Sequence, residues 1–161
     1  MFLVLIPLSL LMLVIEMMRM ECKPCNRLFR KLFGPVLRQQ EEVSFTGATY
    51  LLISSVVCIG LFPAEIAFVC LAFLAVGDTF AAVIGVSFGK RKLAGGRKSV
   101  EGSLACFVVT FLFALFWLYP LVALTGAILA TLAEMSGLPL DDNLKIPIVS
   151  GLGMSLINIF V

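Results

Sequence analysis

The sequence contains no histidine among its 161 residues. This absence excludes a histidine general base, a histidine metal ligand and any catalytic triad that needs histidine. Charged residues are also scarce, at 14%, whereas hydrophobic types make up 61%. A water-soluble fold would leave several apolar runs uncovered, so this composition is typical of a helical membrane protein.

Two common nucleotide-binding signatures are missing as well. There is no GxxxxGK[ST] sequence, which excludes a P-loop protein, and no HRD or DFG sequence, which excludes a protein kinase. Cysteine occurs five times, but only Cys22 and Cys25 form a CxxC unit. Without a second CxxC this is half of a zinc site, so we interpret the pair as reduced loop cysteines, with a redox or metal role as the alternative.

The apolar runs predict an all-α, polytopic membrane helix bundle that forms a single integral membrane domain over residues 1–161. About six transmembrane helices are expected, over residues 1–18, 45–62, 64–88, 103–118, 121–134 and 146–161. Polar loops are expected over residues 19–44, 89–102 and 135–145. We expect no nucleic acid as a partner, and a bundle this small is compatible with a homo-oligomer.

A short amphipathic helix is predicted between Arg27 and Arg38, where basic residues fill the gaps in a helical apolar pattern. Two roles are open for it: an anchor on the positively charged side of the membrane, or a contact with anionic lipid or a lid beside the site. All twelve Lys and Arg residues fall in the three polar loops. The positive-inside rule therefore predicts that these loops are cytoplasmic and that both termini are non-cytoplasmic.

The stretch from Gly77 to Ser103 carries the candidate chemistry. Asp78 lies deep in an apolar run, where an ionisable side chain is costly and is by default a functional candidate; a structural, hydrogen-bonded aspartate is the alternative. A basic, glycine-rich loop follows, and Ser99 opens the next apolar run, where it can cap a helix or mark a phosphate site at the helix N-terminus. A carboxylate beside a basic loop suits a polyanion held with a divalent metal.

Two further groups of carboxylates are expected on the same cytoplasmic face. Asp141 and Asp142 precede the last span, and they suit either Mg²⁺ or the cap of a helix N-terminus. Glu134 ends the fifth span and could serve as a ligand, a base or a boundary charge.

These residues resemble the CTP-dependent lipid kinase family, which contains dolichol and polyprenol kinases, yeast-type diacylglycerol kinase and phytol kinases. The resemblance rests on Gly77-Asp78-Thr79, Gly85-x-x-x-Gly89-Lys90 and Lys98-Ser99-x-Glu101-Gly102-Ser103. Thr46-Gly47-Ala48-Thr49 and Asp141-Asp142-Asn143 add to it. The phosphatidate cytidylyltransferases are similar at a greater distance.

The resemblance implies an integral membrane enzyme that transfers the γ-phosphate of CTP, or of another nucleotide, to a membrane lipid alcohol. Asp78 and Glu134 are then the candidate catalytic residues, and Asp78, Asp141 and Asp142 the candidate ligands of Mg²⁺. The candidate nucleotide-binding residues are Gly85, Gly89, Lys92, Arg97, Lys98, Ser99, Glu101 and Gly102. We expect the site to lie on the cytoplasmic face of the bilayer, where the nucleotide is available.

Two alternatives remain open, a cytidylyltransferase-like synthase of CDP-lipid and a non-enzymatic small transporter or subunit. The sequence also departs from the family pattern at one point. The family usually has further N-terminal membrane helices with an Arg-Lys-x-x-His element, which a chain without histidine lacks. We therefore expect a shortened form or a partner that supplies this element.

Overall fold

The computed structural model describes residues 2–34, 41, 44–93, 98–138 and 140–161. Within these ranges the chain forms seven α-helices and no strand, which confirms the predicted all-α class. The helices are α1 (Phe2–Glu21), α2 (Lys23–Phe33), α3 (Gly47–Leu61), α4 (Ala64–Phe88), α5 (Val100–Ala114), α6 (Pro120–Met135) and α7 (Asp142–Asn158).

Two of the helices are long and apolar enough to cross a membrane. They are the stretch Leu3–Glu21 of α1 and the whole of α4, whose 25 residues span about 38 Å against a hydrocarbon core of about 30 Å. Helices α3, α5 and α6 are equally apolar in character but have only 15 or 16 residues. The individual membrane spans and their orientation therefore stay predictions.

Local sequence signals account for where the helices start and stop. Helix α4 occupies the residues expected of it, because Pro63 precedes its start and Gly89 takes an extended conformation at its end. Helix α5 starts at Val100, earlier than expected, because Ser99 is its N-cap. Helix α7 likewise starts early, because Asp141 caps it, in a segment that was expected to be a loop.

The amphipathic helix lies earlier in the chain than the apolar pattern indicated. It begins at Lys23, with Cys22 as its N-cap and a proline in its first turn, and ends at Phe33. Residues 35–38 of the expected helix lie outside the described residues. Cys22 and Cys25 therefore flank the start of α2, and both are free thiols.

The chain divides into two compact units, Met1–Val56 and Val57–Val161. In the first unit, α1 contains a buried ion pair: Arg19 Nη2 lies 2.6 Å from Glu16 Oε2, and their side chains are 2% and 0% exposed. The remaining carboxylate oxygen, Glu16 Oε1, accepts a hydrogen bond from Thr46 N at 3.1 Å, at the start of α3. This ion pair, which the sequence did not predict, fixes the start of α3 against α1.

The second unit is built on α4 to α7, which pack as antiparallel neighbours. Helix α4 contacts α5 and α7, and α6 contacts the same two helices. Apolar side chains from all four helices and the end of α3 fill the interior, among them Phe73, Val122 and Met154, each fully buried. The C-terminal ends of α4 and α6 therefore lie beside the N-terminal ends of α5 and α7. We call this the charged end of the bundle.

Small residues let α4 and α5 approach closely. A Cβ atom added to Gly102 would lie 2.6 Å from the carbonyl oxygen of Ala81 and 3.2 Å from Cα of Gly85. One turn deeper in α5, a Cβ atom on Gly77 would lie 3.1 Å from Sγ of Cys106. Membrane helices commonly use such small-residue faces, because close packing there replaces the hydrophobic driving force.

We predict that Gly102→Ala destabilises the protein by about 1–3 kcal/mol, because the added methyl group meets backbone atoms that cannot rotate away. Gly137→Ala is the matched control, since an added Cβ there has no neighbour within 4 Å. The measurement is thermal unfolding of the purified chain in detergent. Equal melting temperatures for the two variants would contradict the close helix contact.

Candidate functional site

A cluster of charged side chains ties three helices together at the charged end of the bundle. Lys98 Nζ lies 3.4 Å from Glu134 Oε1 of α6 and 3.1 Å from Asp142 Oδ2 of α7, and it also donates to the carbonyl oxygen of Glu134. On its other side, Asp142 Oδ1 lies 2.8 Å from Lys145 Nζ. We call these four residues the charged cluster; two are cations and two are carboxylates, so their charges balance.

Burial divides the charged cluster into an inner and an outer part. Glu134 and Lys145 are 4% and 6% exposed, whereas the side chains of Lys98 and Asp142 are 28% and 24% exposed. The inner residues have further partners: Ser103 Oγ donates to Glu134 Oε2 at 3.0 Å, and Lys145 Nζ donates to the carbonyl oxygen of Ser136 at 3.1 Å. A ligand from solvent would therefore meet Lys98 and Asp142 first.

Asp141 has a different role from its neighbour. Its Oδ1 accepts a hydrogen bond from the backbone N–H of Asn143 at 2.9 Å, which caps the N-terminus of α7. The capping alternative thus describes Asp141, whereas Asp142 takes part in the ion pairs. The two adjacent aspartates therefore have different roles, because Asp141 is the N-cap of α7 and Asp142 is its first residue.

The basic loop forms a short hairpin before α5. Lys92 pairs with Ser99 in an isolated antiparallel bridge, Leu93 N donates to Lys98 O at 2.8 Å, and Val100 N donates to Arg91 O at 2.9 Å. The hairpin presents Lys98 to the charged cluster. Arg97, a predicted nucleotide-binding residue, lies outside the described residues.

The N-terminus of α5 is capped by the protein itself. Ser99 Oγ accepts from the backbone N–H of Gly102 at 3.1 Å, and the N–H of Val100 is bonded to Arg91 O. Glu101 lies just before the predicted span 103–118. Its pKa is held below its ordinary value by hydrogen bonds from the backbone N–H groups of Glu101 itself, Arg91 and Lys90. The cap of Ser99 is therefore the arrangement present here, and phosphate binding at this helix end stays a prediction.

Gly85 and Gly89 lie close to this cap. A Cβ atom added to either glycine would meet Oγ of Ser99, at 3.1 Å from Gly85 and 2.7 Å from Gly89. Together with Gly102 they bring the end of α4 against the start of α5. The geometry gives all three predicted nucleotide-binding glycines a packing role, and their contact with a nucleotide stays a prediction.

Asp78 lies deeper in the bundle than the charged cluster. It is partly buried, about ten residues or 15 Å from the end of α4. Its neighbour Gly77 packs against Cys106 and Thr110 of α5, whereas Ser103, nearer the start of α5, bonds to Glu134 of the charged cluster. Asp78 and the charged cluster thus lie at different depths of the second unit.

The predicted metal ligands do not form a compact group. Among the described residues, no set of three His, Cys, Asp or Glu side chains is close enough to hold a metal ion. Asp142 is the member of the predicted set that belongs to the charged cluster, while Asp141 caps α7. The assignment of Asp78, Asp141 and Asp142 to a metal stays a prediction.

Sequence reasoning did not assign a site role to Lys145 or Ser103. The signal for Lys145 was its spacing from Asp142, because residues three apart meet on the same face of a helix. The prediction of a loop over residues 135–145 did not place Asp142 and Lys145 on a helix, so this spacing was not considered. The signal for Ser103 was weaker, since its partner Glu134 is 31 residues away.

The apolar helices, two of which are long enough to cross a membrane, are typical of a helical membrane protein, and charged side chains gather at one end of the second unit. Comparison of sequences identifies relatives. The chain is 30% identical over 162 residues to CTP-dependent diacylglycerol kinase 1 of Schizosaccharomyces pombe, over 88% of this chain and 74% of that protein. The chain belongs to the CTP-dependent lipid kinase family, which confirms the resemblance.

Two further relatives bear the same name. The Saccharomyces cerevisiae protein is 24% identical over 92% of this chain, and the Eremothecium gossypii protein is 28% identical over 92%. The chain spans 61% and 56% of their lengths. These relatives do not favour the cytidylyltransferase or transporter alternatives. No protein-family model matches the chain, and no solved structure is similar to it.

We predict that Asp142→Asn destabilises the protein by about 2 kcal/mol, because it leaves the buried Lys145 ammonium without its carboxylate partner. This loss of stability is smaller than the loss expected for a fully buried ion pair, because Asp142 is partly exposed to solvent. Asp141→Asn is the control, since asparagine caps a helix as well as aspartate does. Unfolding in detergent measures both, and equal effects of the two substitutions would contradict the separate roles.

Proposed function

We propose that this chain is a membrane kinase that transfers the terminal phosphate of CTP to the hydroxyl group of diacylglycerol. The similarity to the Schizosaccharomyces pombe protein carries the proposal, because it extends over 88% of this chain. The charged end of the bundle supports it, since phosphoryl transfer depends mainly on positioning and on neutralising negative charge. Polyprenol, dolichol and phytol are alternative lipid substrates, and the labelling experiment described below compares them with diacylglycerol.

Lys98 is the residue that we expect to contact the nucleotide phosphates. It is the exposed cation of the charged cluster, and its present partners are two carboxylates. A triphosphate offers the same kind of negative oxygen acceptor, so it can replace Asp142 at Lys98 without leaving a buried charge unpaired. Asp142 would keep Lys145 as its partner during this exchange, so the inner part of the cluster would stay intact.

The carboxylates of this region suit Mg²⁺ as a cofactor. Mg²⁺ is usually held by one or two protein carboxylates together with phosphate oxygens and water, so a set of three protein ligands is not required. Asp142, once released by Lys98, is the residue that would hold it together with the phosphate oxygens, and Asp78 would serve as a ligand only if it is not the base. When bound, the metal would neutralise charge on the phosphate groups.

Asp78 and Glu134 are the candidates for the group that accepts the proton of the lipid hydroxyl. Asp78 lies about ten residues inside the end of α4, at a depth that suits a substrate of the bilayer. Glu134 holds Lys98 through both its carboxylate and its carbonyl oxygen. We therefore assign the base or metal-ligand role to Asp78 and a positioning role to Glu134.

We further propose that the charged end of the bundle faces the cytoplasm and that both termini lie on the other side of the membrane. The distribution of Lys and Arg supports this orientation, because all twelve fall within the three predicted cytoplasmic loops. A cytoplasmic site would be open to soluble CTP, while the lipid would enter from the bilayer.

The experiment is transfer of label from CTP to diacylglycerol in mixed micelles. We predict that γ-labelled CTP labels the lipid and that Asp78→Asn lowers the rate at least about 100-fold. Glu65→Gln is the matched control, because Glu65 is an exposed carboxylate in the first turn of the same helix.

Retained activity in Asp78→Asn would overturn the role of Asp78. Entry of α-labelled phosphate into the lipid would instead show transfer of a cytidylyl group. A panel of polyprenol, dolichol and phytol with the same labelled CTP identifies the preferred alcohol, and a higher rate with one of these than with diacylglycerol would contradict the proposed substrate.

A further inference from the structure

Helix α2 presents a cationic groove to solvent. Lys23, Arg27 and Lys31 recur every four residues, which places them on one face of the helix over about 12 Å. Together with Pro24 and Leu28 they line a groove of about 370 Å³. All five side chains are exposed, and among the described residues no acidic side chain lines the groove.

The opposite face of α2 is fixed to α1. The guanidinium carbon of Arg19 lies 4.9 Å from the centre of the Phe29 ring, and the Phe29 and Phe33 rings lie 4.9 Å apart. Arg19 is itself buried in its ion pair with Glu16. Turning the cationic groove inward would break these contacts, so α1 determines which way the groove faces.

The groove lies directly after a helix of membrane length. The apolar stretch Leu3–Glu21 of α1 is long enough to cross a bilayer, and Lys23 follows its last residue by two positions. Cations at this point of a membrane helix lie at the level of the lipid headgroups. Leu28, which is 60% exposed, adds an apolar contact of the kind that an interfacial helix makes with the glycerol and upper acyl region.

We propose that the α2 groove binds the headgroup of an anionic phospholipid of the bilayer. Three cations in a groove that no described acidic side chain lines complement a negatively charged headgroup, and the two apolar lining residues complement the lipid beneath it. The groove uses none of the residues assigned to phosphoryl transfer, so the proposal does not depend on the kinase activity. Lipid bound here would hold α2 on the membrane surface.

The test uses the full chain in phosphatidylcholine nanodiscs that contain a trace of spin-labelled phosphatidylserine or spin-labelled phosphatidylcholine. Electron paramagnetic resonance measures how strongly each labelled lipid associates with the protein. We expect a preference for phosphatidylserine that Arg27→Gln lowers by about fivefold, the change typical for one basic residue at an anionic surface. Lys31→Gln should act in the same direction.

Two control variants distinguish lipid binding in the groove from attraction by the total positive charge of α2. Arg30→Gln removes a cation of the same helix that does not line the groove, and it should lower the preference clearly less than Arg27→Gln does. Lys23→Arg keeps the charge and should also preserve it. Circular dichroism of each variant verifies that the helices remain.

Three results would overturn the proposal. Equal losses in Arg27→Gln and Arg30→Gln would show attraction by overall charge. No preference for phosphatidylserine in the unmodified chain would show that the groove does not select anionic lipid. Displacement of the labelled lipid by soluble CTP would assign the groove to nucleotide phosphates instead.

Discussion

The ion pairs of Lys98 with Glu134 and Asp142 are the interaction on which the charged end of the bundle depends. A charge that is removed from water is stable only when it is paired and hydrogen-bonded, and here each carboxylate has more than one donor. Because the partners come from the hairpin before α5, from Ser103 of α5, and from α6 and α7, the same contacts that neutralise the charges also fix the ends of three helices relative to one another. Loss of one charge would leave another uncompensated next to an apolar interior.

Close packing of α4 against α5 places the candidate chemistry at two depths. The small residues of the two helices bring the basic hairpin to the charged cluster, and they leave Asp78 further inside, next to Gly77, which packs against Cys106. A kinase for a lipid needs this separation, because one substrate is soluble and polar while the other stays in the bilayer. In our account, the exposed Lys98 and Asp142 face the nucleotide, and the deeper Asp78 faces the reacting hydroxyl group.

Much of the fold could be predicted because its signals are local. The bounds of α4 followed from a long apolar run between Pro63 and Gly89, and the family followed from short motifs around Asp78 and Lys98. The predicted start of α7 is too late, because Asp141 and Asp142 lie in a polar segment typical of a loop, and this also conceals the pairing of Asp142 with Lys145. The spacing of Glu16 and Arg19 allows them to pair, but the burial of this pair could not be predicted, because Thr46, which donates to Glu16, is 30 residues further along the chain.

The central claim is that the charged cluster receives the phosphates of CTP, and hydrogen–deuterium exchange of the detergent-solubilised chain tests it most directly. Addition of CTP with Mg²⁺ should slow the exchange of backbone amides in residues 98–103 and 141–145, since bound phosphate would hold the start of α5 and α7 in place. CTP with a chelator should slow exchange less. Unchanged exchange in both segments at saturating CTP, or protection confined to α2, would contradict the account.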